Sequence, residues 1–127
     1  MRVCSLFSGI GSIDLGFIQA EFDIVWANGF DRDAAKTYRH NFGSDNLVEC
    51  DIRSINTTDI PDFDVLVAGF PCQPFSKMGR QRRFEDPRGN LFFEIIRIAK
   101  EKKPQVIFWK MSLIYCSAHC LVSHLTS

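Results

Sequence analysis

The octapeptide at residues 69–76 contains the side chain best suited to chemistry, Cys72. It reads Gly-Phe-Pro-Cys-Gln-Pro-Phe-Ser and directly follows the apolar run at residues 63–68. In α/β proteins the carboxyl end of a strand is where ligands and reactive groups collect. A cysteine there attacks an electrophile when its surroundings lower the pKa of the thiol or shelter the thiolate. Stiffening prolines and polar neighbours favour a nucleophile over a small buried apolar residue.

A glycine-rich turn, Phe-Ser-Gly-Ile-Gly-Ser at residues 7–12, stands between a predicted first strand and a predicted first helix. Glycines there let the backbone approach a ligand, and the helix start offers free N–H groups. The turn alone fits a dinucleotide, a nucleoside or simply a tight turn. The full dinucleotide fingerprint is incomplete because the next glycine, Gly16, has a different spacing.

Five cations crowd the loop that follows the cysteine: Lys77, Arg80, Arg82, Arg83 and Arg88. The chain as a whole has a formal net charge of zero, so this concentration is local. Such a cluster next to a nucleophile suits a polyanion. From the residues alone, a solvated surface loop fits equally well.

Composition sets the remaining bounds. The 127 residues, 46% of them hydrophobic, suit one domain with a real core. Five cysteines at irregular spacing, without a secretory signal, favour reduced thiols in a cytoplasmic protein. No apolar run approaches membrane-spanning length, and the first strand begins too early to leave room for a targeting peptide.

Strand and helix patterns alternate along the chain, which predicts an α/β fold with a mostly parallel sheet and right-handed crossovers. Asp31 is predicted to cap the start of the second helix and Gly43 its end. The predicted strands cover residues 2–7, 23–27, 46–49, 63–68 and 105–109, and the predicted helices 13–20, 31–42 and 90–103.

The octapeptide resembles the nucleophile loop of the DNA cytosine-5 methyltransferases of bacterial restriction-modification systems. The Pro-Cys-Gln core of that family stands here as Pro71, Cys72 and Gln73, followed by Phe75-Ser76. The resemblance implies a Rossmann-like methyltransferase fold, present here in incomplete form, and S-adenosylmethionine as cofactor. The residues it implies in cofactor binding are Phe7, Gly9, Ile10, Gly11, Phe30, Asp51, Ile52, Pro71 and Leu91.

The chain departs from the family pattern at two positions of the implied cofactor site. Ser12 replaces the last glycine of Phe-x-Gly-x-Gly-Gly, which is acceptable only where the backbone needs no positive φ. Gly29 stands where the family has a carboxylate for the ribose hydroxyls. Phe30 can still lie against the adenine, and Asp51 matches the residue that accepts from the adenine amino group; its alternative role is to cap a helix or turn.

For the reaction, the resemblance implies that Cys72 attacks C6 of a cytosine flipped out of double-stranded DNA. It places Gln73, Ser76, Lys77, Arg80, Arg82 and Arg83 against the DNA, and residues 84–93 at the end of a loop that closes over it. It also implies a cognate restriction endonuclease as a partner of the system. No metal and no membrane are expected.

The resemblance runs from Arg2 to Trp109 and stops there. The family continues with Glu-Asn-Val, whose glutamate binds N3 of the base, whereas this chain continues with Lys110-Met111-Ser112. Glu-Asn-Val written GAA AAT GTC becomes AAA ATG TC, or Lys-Met-Ser, on loss of its first base. We therefore interpret residues 1–109 as the first part of a catalytic domain and 110–127 as an out-of-frame tail.

Three alternatives remain open at this point. The chain is an active methyltransferase, or it is a non-catalytic remnant or one half of a split enzyme completed by a second chain, or it is an unrelated cofactor-binding oxidoreductase. The last gives residues 69–76 no role. A zinc site built from Cys116, His119, Cys120 and His124 is disfavoured because the tail has no second ligand pair and no turn glycine.

Overall fold

The computed structural model describes residues 1–70, 90–113 and 116–124. Within these ranges the chain forms six strands and three α-helices, with two short 3-10 turns at Ile52–Ser54 and Thr57–Asp59. In chain order the elements are β1 (Arg2–Leu6), α1 (Ser12–Gln19), β2 (Asp23–Gly29), α2 (Arg32–Phe42), β3 (Leu47–Glu49), β4 (Val65–Phe70), α3 (Asn90–Lys102), β5 (Val106–Leu113) and β6 (Cys116–His124).

The sheet has the order β3-β2-β1-β4-β5-β6. All pairs from β3 to β5 are parallel, so the carboxyl ends of β1, β2 and β4 meet at one edge. This arrangement confirms the mostly parallel α/β sheet expected from the alternating pattern. By the general rule for such sheets, this edge is where a ligand would bind.

The two faces of the sheet carry separate cores. On one face α1 and α2 cover β1 and β2, with Ala35 and Tyr38 packed on Val3 and Ala27. On the other face α3 and the 3-10 turns cover Cys4, Leu6 and Leu66, contributing Ile95 and Ile98 among others. Burial of both faces explains why the parallel strands are nearly continuous apolar runs.

Helix α2 begins and ends where its sequence signals predict. The Asp31 carboxylate accepts a hydrogen bond from the Ala34 amide at 2.8 Å, as an N-cap residue does. Gly43 closes the helix with φ of 82°, a conformation that favours glycine. Asp31 is therefore a cap, as expected from the sequence.

The carboxyl-terminal part of the chain differs from expectation in its secondary structure. We expected the fifth strand to end at Trp109 and predicted no element after it. Instead β5 continues to Leu113, and β6 pairs antiparallel with it. The segment has no glycine or proline to interrupt a strand, and its apolar and β-branched residues suit one.

Among the described residues, the helices are too short or too polar to cross a membrane.

Candidate cofactor site

The loop between β1 and α1 is a tight turn with three left-handed residues. Phe7 has φ of 55°, Gly9 of 56° and Gly11 of 92°. The Ser8 amide donates to the Asn28 carbonyl oxygen at 2.9 Å, and the Gly11 amide donates to the Ser8 carbonyl oxygen at 3.0 Å. The loop is thereby fixed to β2 on one side while Ile10, 53% exposed, projects from it.

The two glycines of this loop serve different purposes. A Cβ on Gly11 would lie 2.3 Å from Phe42 Cε2 and 3.0 Å from Tyr38 Cδ2, so α2 packs directly against the backbone there. A Cβ on Gly9 would meet no atom within 4 Å, which leaves that backbone open to a ligand. Ser12 begins α1 with a helical backbone and is exposed, so the position accepts serine without strain.

The end of β2 presents a buried amide followed by an exposed ring. Asn28 is 1% exposed, and its Nδ2 donates to the carbonyl oxygens of Val48 and Cys50 at 3.2 and 2.9 Å. Phe30, two residues on, is 75% exposed. An aromatic ring this exposed at the carboxyl edge of a sheet is available for stacking.

Asp51 follows Cys50, whose amide donates to the Gly29 carbonyl oxygen at 3.1 Å at the end of β2. Its carboxylate accepts from the Arg53 amide at 2.9 Å and from Arg53 Nη2 at 2.5 Å, so it caps the 3-10 turn. These hydrogen bonds from Arg53 lower the pKa of the Asp51 carboxyl. Ile52 is 2% exposed and belongs to the core beneath the site.

At the end of β4, Gly69 comes close to the glycine loop. A Cβ on Gly69 would lie 3.2 Å from the Phe7 carbonyl oxygen and 3.3 Å from Ile13 Cδ1. Leu91, at the start of α3, is half-buried and packs on the same core cluster as Phe7 and Cys50. The structure therefore brings the described members of the expected cofactor site to one edge of the sheet.

Pro71 of the expected cofactor site and the residues expected to contact the base and the DNA lie outside the described residues. These are Pro71, Cys72, Gln73, Ser76, Lys77, Arg80, Arg82 and Arg83. Lys110, which stands where the family has its glutamate, is described. It is exposed and pairs in register with Gly69, three residues before Cys72.

Sequence reasoning missed a buried polar network below the glycine loop. The Asp14 carboxylate, 1% exposed, accepts from Ser5 Oγ at 2.6 Å and from the Tyr38 hydroxyl at 2.7 Å. Burial raises the pKa of the Asp14 carboxyl, although both hydrogen bonds lower it. Burial, followed by the nearby Asp14 charge, also raises the pKa of Tyr38. The sequence feature that could have revealed this network is Asp14 itself, a carboxylate on the inward face of α1 with no oppositely charged residue close to it in the sequence.

Taken together, the described residues offer features that an adenosine-like ligand requires. The loop backbone is open at Gly9, the Phe30 ring is exposed for stacking, and Asp51 follows Cys50, whose amide is hydrogen-bonded to Gly29 at the end of β2. The Gly29 position, which faces Ser8 Oγ, carries no carboxylate for a ribose. The residues present thus fit the cofactor that the resemblance implies, apart from its ribose.

Comparison with known proteins identifies the family. Residues 1–109 match the family model described as C-5 cytosine-specific DNA methylase. The chain is 52% identical over 110 residues to the type II methyltransferase M.Bsp6I of Bacillus sp. (strain RFL6), covering 85% of this chain and 35% of that protein. It is 46% identical over 108 residues to M.HhaI of Haemophilus parahaemolyticus, covering 85% and 32%.

Solved structures show the same fold. The S. pombe Dnmt2 methyltransferase superposes with a TM-score of 0.72 at 26% identity, over 91% of this chain and 37% of that one. A putative DNA modification methyltransferase of an E. coli prophage gives 0.71 at 28% identity, over 87% and 31%. The chain spans about a third of the length of these relatives. On the strength of the family match over residues 1–109, the chain belongs to the C-5 cytosine-specific DNA methylases.

Proposed function

We propose that this chain is the S-adenosylmethionine-binding part of a DNA cytosine-5 methyltransferase and that it is inactive by itself. The observation that carries the cofactor assignment is the edge formed by the Gly9 backbone, the Phe30 ring and Asp51. The family match and the relatives, which are type II methyltransferases, support it.

In the proposed site each residue has a definite task. Phe30 stacks on the adenine, Asp51 accepts from its amino group while keeping Arg53 as partner, and the glycine loop lies along the amino-acid part. Bound S-adenosylmethionine supplies an activated methyl group. Without a carboxylate at Gly29 the ribose hydroxyls lack their charged acceptor, so affinity is expected to be weak.

Cys72 is proposed as the nucleophile of the complete enzyme. Its thiolate would form a bond to C6 of a flipped-out cytosine, and the C5–C6 π electrons would move to C5, which would take the methyl group from the sulfonium donor as the S–CH3 bond breaks and a thioether leaves. Loss of the C5 proton and cleavage of the C6–sulfur bond then restore the aromatic base and the thiolate. Lys77, Arg80, Arg82 and Arg83 are proposed to neutralise the phosphates of double-stranded DNA nearby.

The attack at C6 also needs a group that binds N3, where charge develops. The family uses a glutamate, and this chain has Lys110, an exposed cation at the end of the matched region. General acid assistance is typically worth about 10²–10⁴-fold in rate. The cation in place of this acid supports inactivity of the chain alone.

A one-base deletion at codon 110 is the proposed origin of residues 110–127, and the genomic sequence tests it. Restoring one base should open a longer frame that reads Glu-Asn-Val and continues with an arginine motif and a variable, base-reading region. Downstream DNA that encodes nothing of this kind in any frame contradicts the proposal. A second chain encoding those motifs would instead indicate a split enzyme.

Titration calorimetry tests the cofactor assignment independently. The purified 127-residue chain should bind S-adenosylmethionine and show weaker or no binding of NAD. A preference for NAD would support the oxidoreductase alternative and overturn the assignment.

A further inference from the structure

We infer that Asp14 is a positioning residue that fixes the glycine loop in its ligand-binding conformation through Ser5 and Tyr38. The inference rests on the proposed function for its link to cofactor binding, but its structural part does not. Asp14 contacts neither the exposed edge of the site nor solvent, being 1% exposed. Asp14 would therefore act on the glycine loop through Ser5 and Tyr38, which are hydrogen-bonded to it.

The network joins the two ends of the loop. Ser5 lies in β1 just before the loop, and Asp14 lies in the first turn of α1 just after it. The hydrogen bond of 2.6 Å from Ser5 Oγ to the Asp14 carboxylate therefore connects the entry of the loop to its exit. A connection of this kind limits how far β1 and α1 can separate, and so limits the conformations open to residues 7–11.

The second hydrogen bond places a ring under the loop. The Tyr38 hydroxyl donates to Asp14 at 2.7 Å, and Tyr38 Cδ2 lies 3.0 Å from where a Gly11 Cβ would be. Phe42 packs on Tyr38 with a ring-centroid distance of 4.8 Å and comes still closer to Gly11. Holding the Tyr38 hydroxyl thus holds both rings against the left-handed backbone of Gly11.

The backbone conformation of the loop requires support from its surroundings. Phe7 is a non-glycine residue with φ of 55°, a conformation that persists only where the surroundings determine it. The loop's backbone hydrogen bonds connect it to β2 through Ser8 and include none to α2 among the described residues. The Asp14 network supplies support from the α2 side, where a buried polar group with all its partners gives directional contacts that apolar packing lacks.

Tyr38→Phe in the full chain tests the inference, because it removes one hydroxyl and keeps the ring. Amide hydrogen exchange of Ser8 and Gly11, measured by NMR, should become about threefold to tenfold faster, the effect of one lost hydrogen bond on local opening. Ser5→Ala should act in the same direction. Affinity for S-adenosylmethionine should weaken by a similar factor, again about threefold to tenfold.

The matched control is Ile98→Val, which lowers stability from the core on the other face of the sheet. At comparable loss of global stability, Ile98→Val should leave the exchange of Ser8 and Gly11 unchanged relative to other protected amides. In an Asp14→Ala background, Tyr38→Phe should have no further effect on the loop, since the two act through one contact. If Asp14→Ala does not fold, Ser5→Ala combined with Tyr38→Phe serves in its place and should be less than additive.

Two results would overturn the inference. One is a loop exchange rate that rises equally in Ile98→Val and Tyr38→Phe, which would mean that Asp14 supports only the global fold. The other is an unchanged loop in both Tyr38→Phe and Ser5→Ala. The exchange measurement needs no ligand, so a loop that responds in a chain without affinity for S-adenosylmethionine would contradict the proposed function and not the positioning role.

Discussion

The two halves of the sheet differ in the connections on which their expected functional residues lie. In the half formed by β1, β2 and β3, the site residues lie on short connections tied to neighbouring strands, as the Ser8 to Asn28 and Cys50 to Gly29 hydrogen bonds show. In the half formed by β4, β5 and β6, the expected nucleophile stands in a nineteen-residue connection, residues 71–89, and the expected acid is replaced by Lys110.

On this basis we propose that cofactor binding and chemistry are separable in this chain. A ligand site built from a glycine turn and two strand ends needs only a few local contacts. The methyl-transfer site needs side chains from a long connection, from the end of β5 and, in the proposed mechanism, from regions that this chain does not span. The following predictions test that separation.

The largest effect is expected from Cys72→Ser in a version of the protein restored to full length. Methyl transfer should fall on the order of 10⁴-fold or more, as removal of a nucleophile does, because a hydroxyl is a much poorer nucleophile towards C6. Binding of S-adenosylmethionine should be nearly unchanged, since most of the expected cofactor residues lie at the ends of β1 and β2 and the change removes only the thiol. Transfer of labelled methyl groups to DNA measures the first and calorimetry the second; full activity in the variant would remove Cys72 from the mechanism.

Gly11→Ala should destabilise the cofactor half strongly. A methyl group there meets the Phe42 ring and requires φ of 92°, so left-handed strain and overpacking together should lower the free energy of unfolding by about 2–5 kcal/mol. The matched control is Gly16→Ala in the middle of α1, where a Cβ meets nothing within 4 Å. That change should raise stability by about 0.5–1 kcal/mol. Urea denaturation measures both, and equal effects would contradict the packing described for Gly11.

Gly29→Glu should tighten binding of S-adenosylmethionine by about one to two decades. A carboxylate there restores a charged acceptor for the ribose hydroxyls, worth roughly 1.5–3 kcal/mol. A Cβ at this position lies at an ordinary contact distance, 3.4 Å from Ser8 Oγ, so the change is sterically allowed. Gly29→Gln, of the same size without the charge, should gain less. Calorimetry that shows no gain for Gly29→Glu would place the ribose elsewhere.

The smallest effects are expected from pH, with opposite signs for two carboxylates. Burial raises the pKa of Asp14, so the folded chain holds that proton more tightly and stability is lost as pH rises from the ordinary carboxyl range through the raised pKa. The hydrogen bonds of Arg53 lower the pKa of Asp51, so its contribution is lost as pH falls through the lowered pKa. Unfolding free energies of Asp14→Asn and Asp51→Asn, each subtracted from the parent across acidic pH, should have slopes of opposite sign. Parallel slopes would contradict the burial of Asp14.

The sequence predicted the features that depend on residues close together in the chain. The glycine turn, the Asp31 cap and the parallel sheet follow from local patterns, and the serine at residue 12 proved acceptable because α1 begins there. The role of Asp51 was left between two possibilities, and the structure shows its cap, formed with a residue only two positions away. Its part in adenine binding remains a prediction.

What could not be predicted depends on elements meeting in space. Asp14, Ser5 and Tyr38 come from three elements, and only packing shows that they meet. The buried amide of Asn28 likewise has its partners in another strand connection. The sequence analysis does not predict strand β6, because it considers the origin of residues 110–127 and not their strand propensity. Strand formation depends only on the residues that are present, whatever their origin.

One measurement tests the separation of binding from chemistry most directly. The purified 127-residue chain is incubated with S-adenosylmethionine labelled in its methyl group and with cytosine-containing double-stranded DNA, and the label is then counted on the protein and on the DNA. We expect saturable label bound to the protein, displaced by excess unlabelled cofactor, and none transferred to DNA. Methyl label in the DNA cytosines would show that this chain performs the chemistry unaided and would contradict the account.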